Sequence, residues 1–246
     1  MNYNSENNNN TSTKVIPKSE KTKKLENISY EQEVLRKGIH LMSLSIPIIY
    51  IFVTREFALM VLLPMTIIAV LIDILAKYDN FVRKYLYLYF GKMLRNHEKN
   101  SDILVLNGAS WVLIAALATI FFFPKVIAVI SFMILIVSDI SAALIGRRFG
   151  KHKILDKSIE GTAAFIISGF LIVWIVGIIY RADIWFYIAG YTGAFVGGIA
   201  ELVSTKLKLD DNLSIPISVG ITMAIVNAVA FYWFNTSFLD LFLIKF

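Results

Sequence analysis

The stretch Ser138-Asp139-Ile140-Ser141-Ala142-Ala143-Leu144-Ile145-Gly146-Arg147-Arg148-Phe149-Gly150-Lys151 holds the densest chemistry in the chain. Asp139, Ala142 or Ala143, and Gly146 fall at i, i+3/i+4 and i+7, which is one face of a helix. Small side chains on that face let another backbone, or a ligand, approach the carboxylate. The helix then gives way to a loop with glycine and arginine. Lys157-Ser158-Ile159-Glu160-Gly161-Thr162 follows and opens a new apolar run. A helix N-terminus with Ser, Thr, Gly and Lys can bind phosphate through its free backbone N–H groups. A carboxylate beside several cations suits a metal–polyphosphate complex, in which the acid holds Mg2+ and the bases hold the remaining phosphate charge.

Other polar groups stand at the ends of apolar runs. Glu201 closes a second small-residue face made of Gly190, Gly193 or Ala194, and Gly197 or Gly198. Such a face serves tight helix packing, but packing alone does not account for a carboxylate at its end. Asp210, Asp211 and Asn212 open the run that follows, and His40 stands beside Arg36 and Lys37 at the start of the first. Asp73 ends the second run and is expected nearer to water. Ionisable groups in or beside membrane spans are costly and usually functional. These converge on one level, with Asn227 the clear mid-depth exception. Other chemistries are excluded. Gly146-x-x-x-Gly150-Lys151-His152 is one residue short of a phosphate-binding loop and lacks the Ser or Thr after the lysine. No Gly-x-Ser-x-Gly or His-Glu-x-x-His occurs. Three histidines and no cysteine argue against a zinc site and leave no disulfide.

The elements that carry these groups are membrane helices. Of 246 residues 57% are hydrophobic and 17% charged, against about a quarter charged in an ordinary soluble domain. Long apolar runs alternate with short basic segments, and alternating strands of the barrel type are absent. The pattern predicts an all-α, polytopic transmembrane helical bundle of about seven spans: Ile39–Val53 kinked by Pro47, Phe57–Leu75, Leu104–Phe123, Val126–Ile145, Thr162–Ile179, Ile184–Val203 and Ile215–Phe234. Twenty of the 24 Lys and Arg residues fall in the N-terminal segment and in residues 76–103, 146–161 and 204–214; the others are Arg55, Lys125, Arg181 and Lys245. The excess of basic residues places the N-terminus and the motif loops in the cytoplasm and the C-terminus outside. The net charge of +6 is thereby a matter of topology, and no nucleic-acid partner is expected. Residues 1–30 are polar and predicted to be a disordered tail, with residues 31–246 forming the membrane-embedded domain. Phe81, Tyr85, Leu88 and Tyr89 fall at helical spacing, as in an amphipathic helix along the inner leaflet. Phe238–Phe246 is too short to span and is expected in the interface.

At these residues the chain resembles the CTP-dependent lipid kinases, the family of dolichol kinase, yeast-type diacylglycerol kinase and phytol kinase. The matching elements are Arg36-Lys37-Gly38-Ile39-His40; Arg95-Asn96-His97-Glu98 with Gly108-Ala109-Ser110-Trp111; the Asp139–Lys151 and Lys157–Thr162 stretches; and Glu201 with Asp210-Asp211-Asn212-Leu213-Ser214-Ile215-Pro216. The resemblance implies phosphoryl transfer from CTP to a membrane lipid alcohol on the cytoplasmic face. Asp139 and Asp211, with Glu201, would hold Mg2+. Arg147, Arg148, Lys151 and Lys157 would hold the phosphates, within a binding segment that includes Ser158, Glu160, Gly161 and Asn212. Gly146 and Gly150 would allow close approach, and Arg36, Lys37 and His40 would close the site. The third element is also similar to one in phosphatidate cytidylyltransferases, but Asp-Asp-Asn-Leu-Ser-Ile-Pro stands where those enzymes carry His-Gly-Gly. Broken helices and small-residue faces would also suit a small membrane transporter, against which stand the one-sided charge and the lack of an inverted repeat.

Overall fold

The computed structural model describes residues 30–90, 106–155, 157–207 and 209–242. The N-terminal tail and Arg95-Asn96-His97-Glu98 lie outside the described residues. The first apolar run forms two helices, α1 (Tyr30–Met42) and α2 (Ser45–Phe52). Pro47 causes the break. A proline ring clashes with the carbonyl four residues back and offers no N–H, so the Ser43 carbonyl accepts from Ile46 N instead, at 3.0 Å, and Leu44 N donates to Leu41 O. Next come α3 (Arg55–Tyr78), α4 (Asn80–Phe90), α5 (Gly108–Phe122) and α6 (Lys125–Phe149). A small antiparallel hairpin, β1 (Lys153–Ile154) and β2 (Lys157–Ser158), leads to α7 (Ile159–Ile179), α8 (Ile184–Leu207) and α9 (Asp211–Phe234).

The seven expected spans are thus found as helices. The first is the α1–α2 pair, and among the described residues six segments are long and apolar enough to cross a membrane. The third, α5, is shorter, with 15 residues. It begins late because Asn107 caps it, accepting from Ser110 N at 3.0 Å. The protein is an integral, multi-pass helical bundle.

α6 is the axis of the bundle. Of its most apolar stretch 72% is buried, against 22% for α3, and Val126, Ile127, Ile130, Ile134, Leu135 and Ile136 are all sealed from the surface. The outer faces of α3, α7 and α9 expose large apolar side chains such as Ile68, Trp174 and Ile225, as helices facing hydrocarbon do. The small face of α8 is a packing surface: Gly190 meets Val173, Gly193 meets Met223 and Val219, and Gly197 meets Val219. It draws α8 against α7 and α9 and so brings Glu201 toward both. A Cβ at position 190 would lie 2.5 Å from Cγ1 of Val173, a β-branched side chain with little rotamer freedom in a helix. Gly190→Ala is therefore expected to destabilise by about 1–3 kcal/mol, read as a lowered thermal midpoint in detergent.

At the end away from the motif loops, two of the off-pattern basic residues cap helices. Lys125 donates to Val53 O at 2.7 Å and Arg55 to Phe121 O, satisfying carbonyls left open at helix C-termini. The expectation for the C-terminal segment is corrected. Through residue 242 it is no interfacial helix but folds back on the bundle, with Phe238 and Phe242 buried and Phe242 edge-on to Tyr180 at 4.7 Å. Asn227, the mid-depth polar exception, holds it there by accepting from Ser237 Oγ and Phe238 N. α4 is a helix as expected, with Phe81, Tyr85 and Leu88 exposed.

Candidate functional site

Three of the helices that begin at the end of the bundle carrying the motif loops are capped by a side chain: α5 by Asn107, α7 by Ser158 and α9 by Asp210. Each start carries partial positive charge from unpaired N–H groups. Between the starts of α5 and α9, with α1, α3 and α6 as the remaining walls, lies a cavity of about 320 Å³. Arg36, Lys37 and His40 line it from α1, Asp139 from α6, and Asp210, Asp211 and Asn212 from α9. Asn107, Gly108, Ala109 and Ser110 form the α5 wall. Residues from five separated parts of the sequence thus meet in one space.

Two ion clusters border this cavity. In the first, Lys37 pairs with Asp139, both buried, and His40 Nε2 lies 3.7 Å from the same carboxylate oxygen. That distance is too long for a hydrogen bond, and Nε2 is buried without a hydrogen-bond partner. In the second, Lys157 bridges two acids, at 2.6 Å from Glu201 Oε1 and 2.8 Å from Asp211 Oδ2. The hairpin places Lys157 there, joining the starts of α7 and α9 to the end of α8. Burial works against the charge of Lys157, but Asp211 and then Glu201 outweigh it and raise its pKa above the ordinary lysine value. The other Glu201 oxygen, Oε2, is buried with no hydrogen-bond partner. Asp211 belongs to both settings, since it lines the cavity and holds Lys157.

The remaining expected site residues have other surroundings. Gly146, Gly150 and Gly161 crowd around the Ser158 hydroxyl: a Cβ at Gly150 would lie 2.7 Å from its Oγ, and one at Gly146 3.0 Å. These glycines let α6 and the start of α7 meet, and Ser158 Oγ accepts from Gly161 N at 3.1 Å. Glu160 faces the other way and bonds His152, at 2.8 Å from Nδ1. Arg147, Arg148 and Lys151 are exposed at the end of α6 and do not line the cavity.

Asp73 departs from the expectation that it lies nearer to water. It is buried at 6% exposure and accepts from Asn107 N at 2.9 Å and from Asn107 Nδ2 at 2.5 Å. Asn107 therefore ties α3 to the α5 wall of the cavity while capping α5. The sequence signal for it was an Asn-Gly pair just ahead of an apolar run. Asn107→Asp keeps a good capping group but sets a second carboxylate against Asp73. It is expected to lower the thermal midpoint more than Asn107→Ser, which caps without the added charge.

Fold and site define a multi-pass membrane protein with a charged cavity at one end of its bundle. The chain is 32% identical to Uncharacterized protein RP860 of Rickettsia prowazekii (strain Madrid E) over 203 residues, covering 79% of this chain and 94% of that one. It belongs to the same family as that protein. It is also 30% identical over 139 residues to CTP-dependent diacylglycerol kinase 1 of Schizosaccharomyces pombe, covering 52% of this chain and 62% of the yeast protein. No protein-family model matches the chain, and no solved structure matches it.

Proposed function

We propose that the protein is a membrane kinase that transfers the γ-phosphoryl group of CTP to the hydroxyl of a lipid alcohol, with the charged cavity as its active site on the cytoplasmic face. The observation that carries this reading is the convergence of Arg36, Lys37, His40, Asp139, Asp211 and Asn212 on one cavity. Phosphoryl transfer needs positioning and charge neutralisation more than covalent help from the protein. The cavity offers cations and the starts of α5 and α9 for the phosphates, and carboxylates for a cation.

Mg2+ fits this donor set in one manner. Among the described residues no group of three or more His, Asp or Glu side chains could hold a metal by itself. Magnesium is commonly held by one or two carboxylates together with substrate phosphates, and Asp139, Asp211 and the unpartnered Glu201 oxygen suit that arrangement. When bound, the ion would offset phosphate charge. Arg36, Lys37 and Lys157 neutralise the rest, and Asp139 and His40 orient the lipid hydroxyl. Its oxygen attacks the γ-phosphorus, the bond from that phosphorus to the β-bridging oxygen breaks, the hydroxyl proton passes to a carboxylate of the site, and CDP leaves.

Purified protein would be incubated with Mg2+, a mixed lipid extract, and CTP labelled at either the γ- or the α-phosphorus. Transfer of only the γ-label into the organic phase is the expected result. Transfer of only the α-label would replace the kinase with a cytidylyltransferase making a CDP-lipid. A transporter finds less support in the bundle below the cavity. There Thr119 and Ser131 spend their hydroxyls on carbonyls of their own helices, amid the packed apolar side chains of α6.

A further inference from the structure

We infer that the seam between α1 and α3 is the port and seat for the hydrocarbon chain of the acceptor lipid; the identity of its head group as an alcohol rests on the kinase reading. α1 and α2 pack on α6, and α3 packs on α5, but α1 and α3 make no more than marginal contact with each other. Both nevertheless line the cavity, α1 through Ile39, with Ser43 just beyond its end, and α3 through Ala69 and Ile72. Ile39 and Ile72, although they line the cavity, are 43% and 42% exposed. The cavity therefore continues between them onto the outer face, where Ile68, Leu71 and Leu75 of α3 are exposed.

The chemistry along this path is graded. Outside are aliphatic side chains, which attract an alkyl or isoprenoid chain and no polar solute. Ser43 follows, at the break imposed by Pro47, and then His40, Lys37 and Asp139. A lipid lying in the seam with its tail in the bilayer brings its polar end to the carboxylate. A soluble acceptor would need no apolar seam. Ala69 is the smaller of the two α3 side chains on the cavity wall, so a larger side chain there would narrow the passage.

The chain has no cysteine, so Ser43→Cys and Ala69→Cys each provide a unique labelling position. With an environment-sensitive fluorophore at either position and the protein in lipid nanodiscs, phospholipids brominated along their chains are expected to quench strongly and aqueous iodide weakly. Unlabelled dioleoylglycerol should reverse the lipid quenching. Strong iodide quenching without lipid quenching, or no quenching by either, would overturn the port. An independent reading is Ala69→Trp, for which the ratio of phosphate transfer to dioleoylglycerol over transfer to a short-chain, water-soluble diacylglycerol should fall about tenfold or more. An unchanged ratio in a folded variant would also overturn it. The two hypotheses fail differently. Lipid quenching in a protein that transfers no γ-phosphate leaves the port and removes the kinase. Kinase activity with quenching by iodide alone does the reverse.

Discussion

Asp139→Ala is expected to lower γ-label transfer from CTP by about 10³-fold or more, in a protein that still inserts into the membrane. The carboxylate is buried, pairs with Lys37 and lies beside His40, so its removal both strips the cavity of its central acid and leaves a buried ammonium without its partner. Breaking a buried pair from one side costs about 3–5 kcal/mol, whereas replacing both partners by neutral groups is often near neutral. The two effects can therefore be separated. Lys37→Met added to Asp139→Ala should recover much of the lost thermal stability and none of the activity. Activity that returns along with stability would show that Asp139 matters to the fold alone and would remove it from the proposed chemistry.

Lys157 gives the second large effect. Lys157→Met leaves Glu201 and Asp211 facing a common space without the cation between them, at the junction of three helices. Loss of both stability and transfer activity is expected, with stability partly regained when Glu201→Gln is added. The pair also predicts a pH profile. The pKa of Lys157 is raised in the folded protein above its ordinary value of 10.5. The stabilisation from its charge is therefore fully present below 10.5 and is lost as pH rises through the raised folded value. Wild-type protein should show this alkaline loss in thermal midpoint, and Lys157→Met should lack that component. An identical alkaline slope in both would mean that the bridge contributes nothing to folding.

Hydropathy was enough to mark the helices, because each apolar run is close to the length of a membrane crossing and is bounded by basic segments. Pro47 foretold the break in the first span, since a missing N–H acts locally. The site was legible in kind but not in pairing. Lys37 and Asp139 are 102 residues apart, and Lys157 and Asp211 54 apart, so no local spacing could join them. The glycines at 146, 150 and 161 were ambiguous for a physical reason. Close approach of a ligand and close approach of a helix ask for the same missing side chain, and here a neighbouring element occupies the space. Asp73 was misjudged because its burial depends on Asn107, which arrives from the far side of a long connection. The C-terminal segment was misjudged because its apolar residues suit an interface as well as a cleft, and Asn227 decides between them.

The short α5 sets the depth of the cavity. Its hairpin with α6 turns at Phe123-Pro124; Gly108 lies fourteen residues before Phe122 and Asp139 fourteen residues after Lys125. The two are level, and α6 continues ten residues further, to Phe149, so about 15 Å of helix stands above the carboxylate. Lifting a lipid through that height would draw its methylenes out of hydrocarbon at about 0.8 kcal/mol each. On the proposed kinase reading, a recessed cavity would avoid this extraction work: the lipid would stay at its resting depth, and the water-soluble reactant would make the descent.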